Sequence, residues 1–128
     1  MLSKPAKNEQ LLELWNHLYG NEKQYSELLR SPVGTLWHHN YRYGLLEHLI
    51  TMLELAERLS VYNPSIKHEL LKAGIIYHEI ARRESLTLDE AFSFSNKGRL
   101  LGTRIMAWQL VMEEIGKIEG FPEGLKMD

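Results

Sequence analysis

Apolar residues return every three or four positions along most of this chain, and short clusters of Gly, Pro, Asn and Ser interrupt them. Leu11, Leu12, Leu14, Trp15 and Leu18 follow a polar lead and stop at Gly20-Asn21, which predicts a first helix over residues 7–19. A second, shorter helix is expected over 22–30, with Tyr25, Leu28 and Leu29 inward and Ser31-Pro32 ending it. Val33 to His39 reads as a loop that delivers Trp37, His38 and His39 to the next helix. That third helix, over 41–60, places Leu45, His48, Met52, Leu55 and Leu59 on one stripe, while Glu47, Glu54, Glu57 and Arg58 mostly face away. Asn63-Pro64-Ser65 is read as a turn and a helix start, because Pro fits the first helical position. The fourth helix would then run over 64–83, with Leu71, Gly74, Ile75 and His78 on one face and Gly74 admitting a neighbouring backbone.

Thr87-Leu88-Asp89-Glu90 has the form of a capping box that would open a short helix through Phe94. Asn96 is expected to cap a last long helix over 97–118, with Leu101, Ile105, Trp108, Val111 and Ile115 buried. Gly120 closes it, and 120–128 reads as a polar tail. No segment alternates as a strand does, so the expected fold is all-α, a bundle of about five or six helices.

Composition narrows the class of protein. At 128 residues the chain suits one domain. Its 15 basic and 17 acidic side chains leave a net charge of -2, which excludes the broad basic field that drives non-specific nucleic-acid binding. There is no cysteine, so disulfides, thiolate zinc sites and cysteine nucleophiles are excluded, and a metal would be held only by nitrogen and oxygen. With no signal-peptide core and no long apolar run, the expectation is a soluble, cytoplasmic protein that does not enter membranes.

Chemistry concentrates between His38 and Arg82. His48 on the third helix and the pair His78-Glu79 on the fourth bring two imidazoles and a carboxylate to two packed helices, a donor set that suits divalent ions such as Mn, Fe, Ni, Zn or Mg. His38, His39 and Arg42 stand before the third helix, where backbone N–H groups and a cation can meet a substrate phosphate.

Several short motifs then fall in a familiar order: His38-His39, GLLEH over Gly44–His48, LLKAGIIYHEI over Leu70–Ile80, KGRLLG over Lys97–Gly102 and GFPEGL over Gly120–Leu125. Across residues 37–124 the chain resembles the HD superfamily of metal-dependent phosphohydrolases, most of all the HD domain of YhaM-type 3′-5′ exoribonucleases. A related pattern occurs in HD domains of some conjugative relaxases. The resemblance implies an HD-like core over 37–119 preceded by N-terminal helices over 1–31, with His48 as the first metal-binding His and His78-Glu79 in place of the family's His-Asp pair. It further implies hydrolysis of a nucleotide or nucleic-acid phosphoester, such as an RNA end, with Arg82 at the position of the family's Lys contacting the phosphate.

The chain also departs from that pattern. Glu79 extends the carboxylate by one methylene, Ala81 and Arg82 replace Gly and Lys, and Thr103 stands where these relatives place a His. The sequence ends at Asp128, before the region that carries further His ligands and the final Asp in the family, so the expected metal site is incomplete. The alternative is a catalytically inactive HD-like domain that serves as a homodimeric or regulatory interaction module. Simpler readings stand beside each candidate. His48 and His78 could be core histidines, and Glu79 could pair with Arg82 or Arg83. His38 and His39 could pack on Trp37, and Trp15, Trp37 and Trp108 read as core. His17 and His68 read as surface residues, and Arg82, Arg83, Arg99 and Arg104 as scattered charges.

Overall fold

The computed structural model describes residues 9–35, 39–87 and 93–127. In chain order the elements are α1 (Glu9–Tyr19), α2 (Glu22–Leu29), α3 (Gly44–Tyr62), α4 (His68–Tyr77), α5 (Arg82–Ser85), β1 (Leu86–Thr87), β2 (Ser93–Phe94), α6 (Asn96–Leu101), α7 (Thr103–Ile115) and α8 (Glu123–Met127). Five of these helices have two turns or more, and the fold is all-α apart from one antiparallel ribbon pairing Leu86 with Phe94 and Thr87 with Ser93. Among the described residues no helix is long and apolar enough to cross a membrane.

Leu11, Leu14 and Trp15 of α1, Leu28 of α2, Leu45 and Leu49 of α3, Ile76 of α4 and Met106 of α7 form one continuous core. α3 packs on α4, and α1 packs on α7. α1 and α4 are also tied by two buried phenols: the Tyr19 hydroxyl donates to the Ile76 carbonyl at 2.7 Å, and that of Tyr77 to the Leu11 carbonyl at 3.2 Å. The Tyr19 and Tyr77 rings stack with centroids 6.1 Å apart. Burial raises the pKa of both phenols, for Tyr19 with help from its phenolic neighbours.

Several expected boundaries move. Pro64 does not open α4: the Asn63 side chain accepts hydrogen bonds from the N–H and hydroxyl of Ser65, making a self-contained turn, and the helix starts at His68. α4 stops at Tyr77, because the backbone there changes from i+4 to i+3 bonds, Ile80 to Tyr77 and Arg82 to Glu79. The expected short helix does not run through Phe94, since Thr87 and Ser93-Phe94 belong to the ribbon, and the rest of the capping-box reading, Leu88 to Phe92, lies outside the described residues. Ser95 rather than Asn96 caps α6, its hydroxyl accepting from the Gly98 N–H at 3.0 Å. The expected last long helix is two helices, broken at Gly102, whose φ of +76° suits glycine.

Faces are corrected too. On α3 the buried positions are Gly44, Leu45, Leu49 and Ala56, while Leu55 and Leu59 are exposed. Gly74 is exposed, and a Cβ there would meet nothing, so it admits no neighbouring backbone. On α6 and α7 the buried residues are Gly98, Thr103, Met106, Ala107 and Ile115, whereas Leu101, Ile105 and Trp108 face outward. Trp15 is core, as read, and Trp37 lies outside the described residues. The tail carries α8, and Phe121 and Leu125 pack against the core.

Candidate metal centre

Two close backbone approaches hold the elements that carry the candidate ligands. Gly44 opens α3 directly under the His39 carbonyl, so that a Cβ at Gly44 would collide with that oxygen. The same carbonyl accepts from the Val33 N–H at 3.1 Å, and the N–H groups of Tyr43 and Leu45 donate to the Arg30 and Ser31 carbonyls. His39 itself adopts a left-handed φ of 56°, as does Tyr43 at 66°. Gly98 plays the matching part on the other side: a Cβ there would strike the Ser85 carbonyl oxygen, which α6 approaches closely. Gly44 of GLLEH and Gly98 of KGRLLG are therefore packing requirements.

His48 projects from the second turn of α3 toward the turn that follows α4. There the ligand atoms of His48, His78 and Glu79 all lie within 4.8 Å of one another. His78 Nε2 is 3.6 Å from Glu79 Oε1, near the edge of about 3.4 Å that a tetrahedron built on bonds of about 2.1 Å requires. The His78 Nδ1–H donates to the Ile75 carbonyl at 2.6 Å, a hydrogen bond that fixes the ring and leaves Nε2 as the basic nitrogen. That carbonyl is one that the end of α4 leaves without a helical partner, so helix termination and ligand orientation are the same event. The chemistry and spacing of these donors fit a divalent ion, and the group can hold one.

Glu79 is buried, at 8% exposure, and its charge is answered by Arg82. The guanidinium binds it through two nitrogens, Nε to Oε2 and Nη2 to Oε1, the latter at 3.0 Å. Arg82 Nη1 reaches on to Thr103 Oγ1 at 3.2 Å, and Thr103 donates to Ser85 Oγ at 2.9 Å. Thus Thr103 anchors the arginine that faces Glu79. Arg83 instead pairs with Glu27 of α2 at 3.5 Å.

No protein-family model matches this sequence, and no solved structure matches it at a significant level.

The remaining candidates divide. His39 stands next to His48, with ring centroids 5.8 Å apart, and His48 next to His78 at 5.7 Å, so three imidazoles form a row ending at Glu79. Sequence reasoning missed what holds the outer end of that row. Tyr41 donates its hydroxyl to Glu47 and accepts from His39 Nδ1 at 2.9 Å, and the Glu47 bond raises the pKa of the phenol. Glu47 lies one turn from its helix start, and a Tyr six residues earlier was the available signal. Arg42 is exposed on the turn and makes no ion pair among the described residues, and His38 lies outside them. His17 bonds Glu114 at 3.1 Å, joining α1 to α7.

Proposed function

We propose that His48, His78 and Glu79 bind a divalent metal ion, and that this is a divergent HD-type metal-dependent phosphohydrolase acting on a nucleotide or nucleic-acid phosphoester. The observation that carries the reading is the oriented, convergent donor set: Nε2 of a His78 ring fixed by the Ile75 carbonyl, beside a buried carboxylate and a second imidazole. These are the residues at which the motif resemblance implies metal ligands. When bound, such an ion supplies Lewis acidity toward a phosphoryl oxygen and an acidified water.

The chain's own residues do the remaining work. Arg82 holds Glu79 in place and keeps its charge countered, and Thr103 fixes Arg82. In this reading His39, one ring beyond His48, and the exposed Arg42 would meet the incoming phosphate. Protein purified without chelator is expected to carry about one equivalent of Mn, Fe, Ni or Zn by elemental analysis, and His48→Ala is expected to lose it while keeping its helical circular dichroism. Metal-dependent cleavage of bis-p-nitrophenyl phosphate should vanish in the same variant. Absence of metal together with calorimetric silence on adding Mn, Ni or Zn would sink the proposal.

The reading of the domain as an interaction module is favoured by one observation, an exposed apolar stripe on α3 formed by Leu55, Leu59 and Tyr62.

A further inference from the structure

The second half of α3 turns an apolar face to solvent. Leu55, Leu59 and Tyr62 are exposed at 55%, 45% and 87%. Thr51, Leu55, Arg58 and Tyr62 recur at i, i+4, i+7 and i+11, the spacing of a seam along which one helix packs on another, and all four are exposed. Leu59 flanks this seam on one side and Glu54 on the other. Besides His48, α3 carries Glu47, Glu54, Glu57 and Arg58 as its ionisable side chains, and two of them are already engaged. Glu47 is held by Tyr41 and His39, and Glu57 by Lys72 and His68 on the α4 side. Glu54 and Arg58, one turn apart, make no ion pair among the described residues.

A face with one acid and one base a turn apart is complementary to itself when turned end for end. In an antiparallel pair of such helices centred between residues 56 and 57, Leu55 comes level with the second copy's Arg58 and lies beside its Leu59. Arg58 then lays its aliphatic stem on Leu55 while its head meets Glu54, and the twofold axis makes every contact twice. Tyr62 falls over Thr51, whose small side chain leaves room for the ring. A parallel pair has no such match, since it sets Glu54 against Glu54 and Arg58 against Arg58. A lipid surface fits the face less well, because helices drawn to anionic lipid are rimmed with Lys and Arg, and α3 has Arg58 alone. We infer that α3 pairs antiparallel with α3 of a second copy of this chain, Leu55 packing on Leu59 and Glu54 on Arg58 across a twofold axis. One helix face per copy is a small interface, below about 1,200 Å², so the association is weak, on the order of tens of micromolar. The contact needs neither metal nor hydrolysis, so it stands or falls apart from the phosphohydrolase reading.

Sedimentation velocity of the whole chain, in chelator, tests it. The weight-average mass of the wild type should rise above the 15.0 kDa of the monomer between about 5 and 500 micromolar. Glu54→Arg and Arg58→Glu, both at exposed positions, should keep their helical circular dichroism and each weaken association by about tenfold, because the contact then opposes like charges. An equal mixture of the two single variants should associate again, since one presents two cations and the other two acids, and the double variant Glu54→Arg/Arg58→Glu should recover association on its own. A wild-type monomer throughout that range overturns the inference, as does association that ignores both reversals, or a mixture that stays as weak as its components. A monomer that instead floats with vesicles of equal phosphatidylcholine and phosphatidylglycerol, and ceases to in Leu55→Glu, overturns it and assigns the face to a lipid surface.

Discussion

Among the side chains, Arg82 has the most contacts that matter. Its guanidinium grips a carboxylate that is largely out of water, and both partners are well covered, at 14% and 10% side-chain exposure. Removing one member of such a pair leaves a buried charge without its counterion, whereas replacing both by apolar groups removes the problem. Arg82→Met is therefore expected to lower unfolding free energy by about 3 kcal/mol. The double variant Arg82→Met/Glu79→Leu should recover most of that, with the coupling read from a cycle of urea melts. If the single and double variants lose equal amounts, the ion pair is not what holds this turn. The pair was visible in the sequence as an i, i+3 spacing, and so was the grouping of His48, His78 and Glu79 that could hold a metal. Nothing local in the sequence marked Thr103 as a partner of Arg82. Its role as the far anchor of Arg82 depends on α7 lying beside α5, which no local pattern encodes.

At the scale of elements, five longer helices and their order followed from apolar spacing and turn residues. What spacing did not show was where α4 ends. Tyr77 to Ala81 contains neither Gly nor Pro, and the helix stops because partners elsewhere satisfy its last carbonyls: the His78 ring bonds Ile75, and Tyr19 bonds Ile76. The outward turn of Trp108 and Ile105 was hidden for a related reason, since the break at Gly102 resets the phase of the face that α7 presents. The Tyr19 link makes a pH prediction. A phenol whose pKa is raised by folding contributes stability that is complete below the unfolded tyrosine value of about 10 and is lost as pH rises toward the folded value. Both Tyr19 and Tyr77 are raised, so the protein should lose stability on the alkaline side, between about pH 9.5 and the onset of unfolding. Tyr19→Phe should cost about 1–2 kcal/mol at neutral pH by leaving the Ile76 carbonyl unpaired. It should also flatten the alkaline decline. Thermal melts at neutral and alkaline pH decide both, and an equally steep decline in the variant would refute the assignment.

For the molecule as a whole, the candidate ligand set joins two parts of the chain that are thirty residues apart, α3 through His48 and the α4–α5 turn through His78 and Glu79. An ion held there would act as a clip across the α3–α4 packing, and its binding energy would appear as global stability rather than as a local effect. Metal at about a hundred times its Kd should add about 2.7 kcal/mol, a rise of several degrees in Tm for a chain of this size. Arg82 makes the expectation sharper. In the wild type the guanidinium already counters Glu79, so an incoming cation competes with a charge that is in place. In Arg82→Met that countercharge is gone and the carboxylate awaits another. The gain in Tm on adding Ni or Zn should therefore be larger in Arg82→Met than in wild type, and absent in Arg82→Met/His48→Ala. Differential scanning calorimetry of the three proteins with and without metal separates the cases. An equal gain in wild type and Arg82→Met would mean that Glu79 is not a ligand, and a gain that survives loss of His48 would place the ion elsewhere.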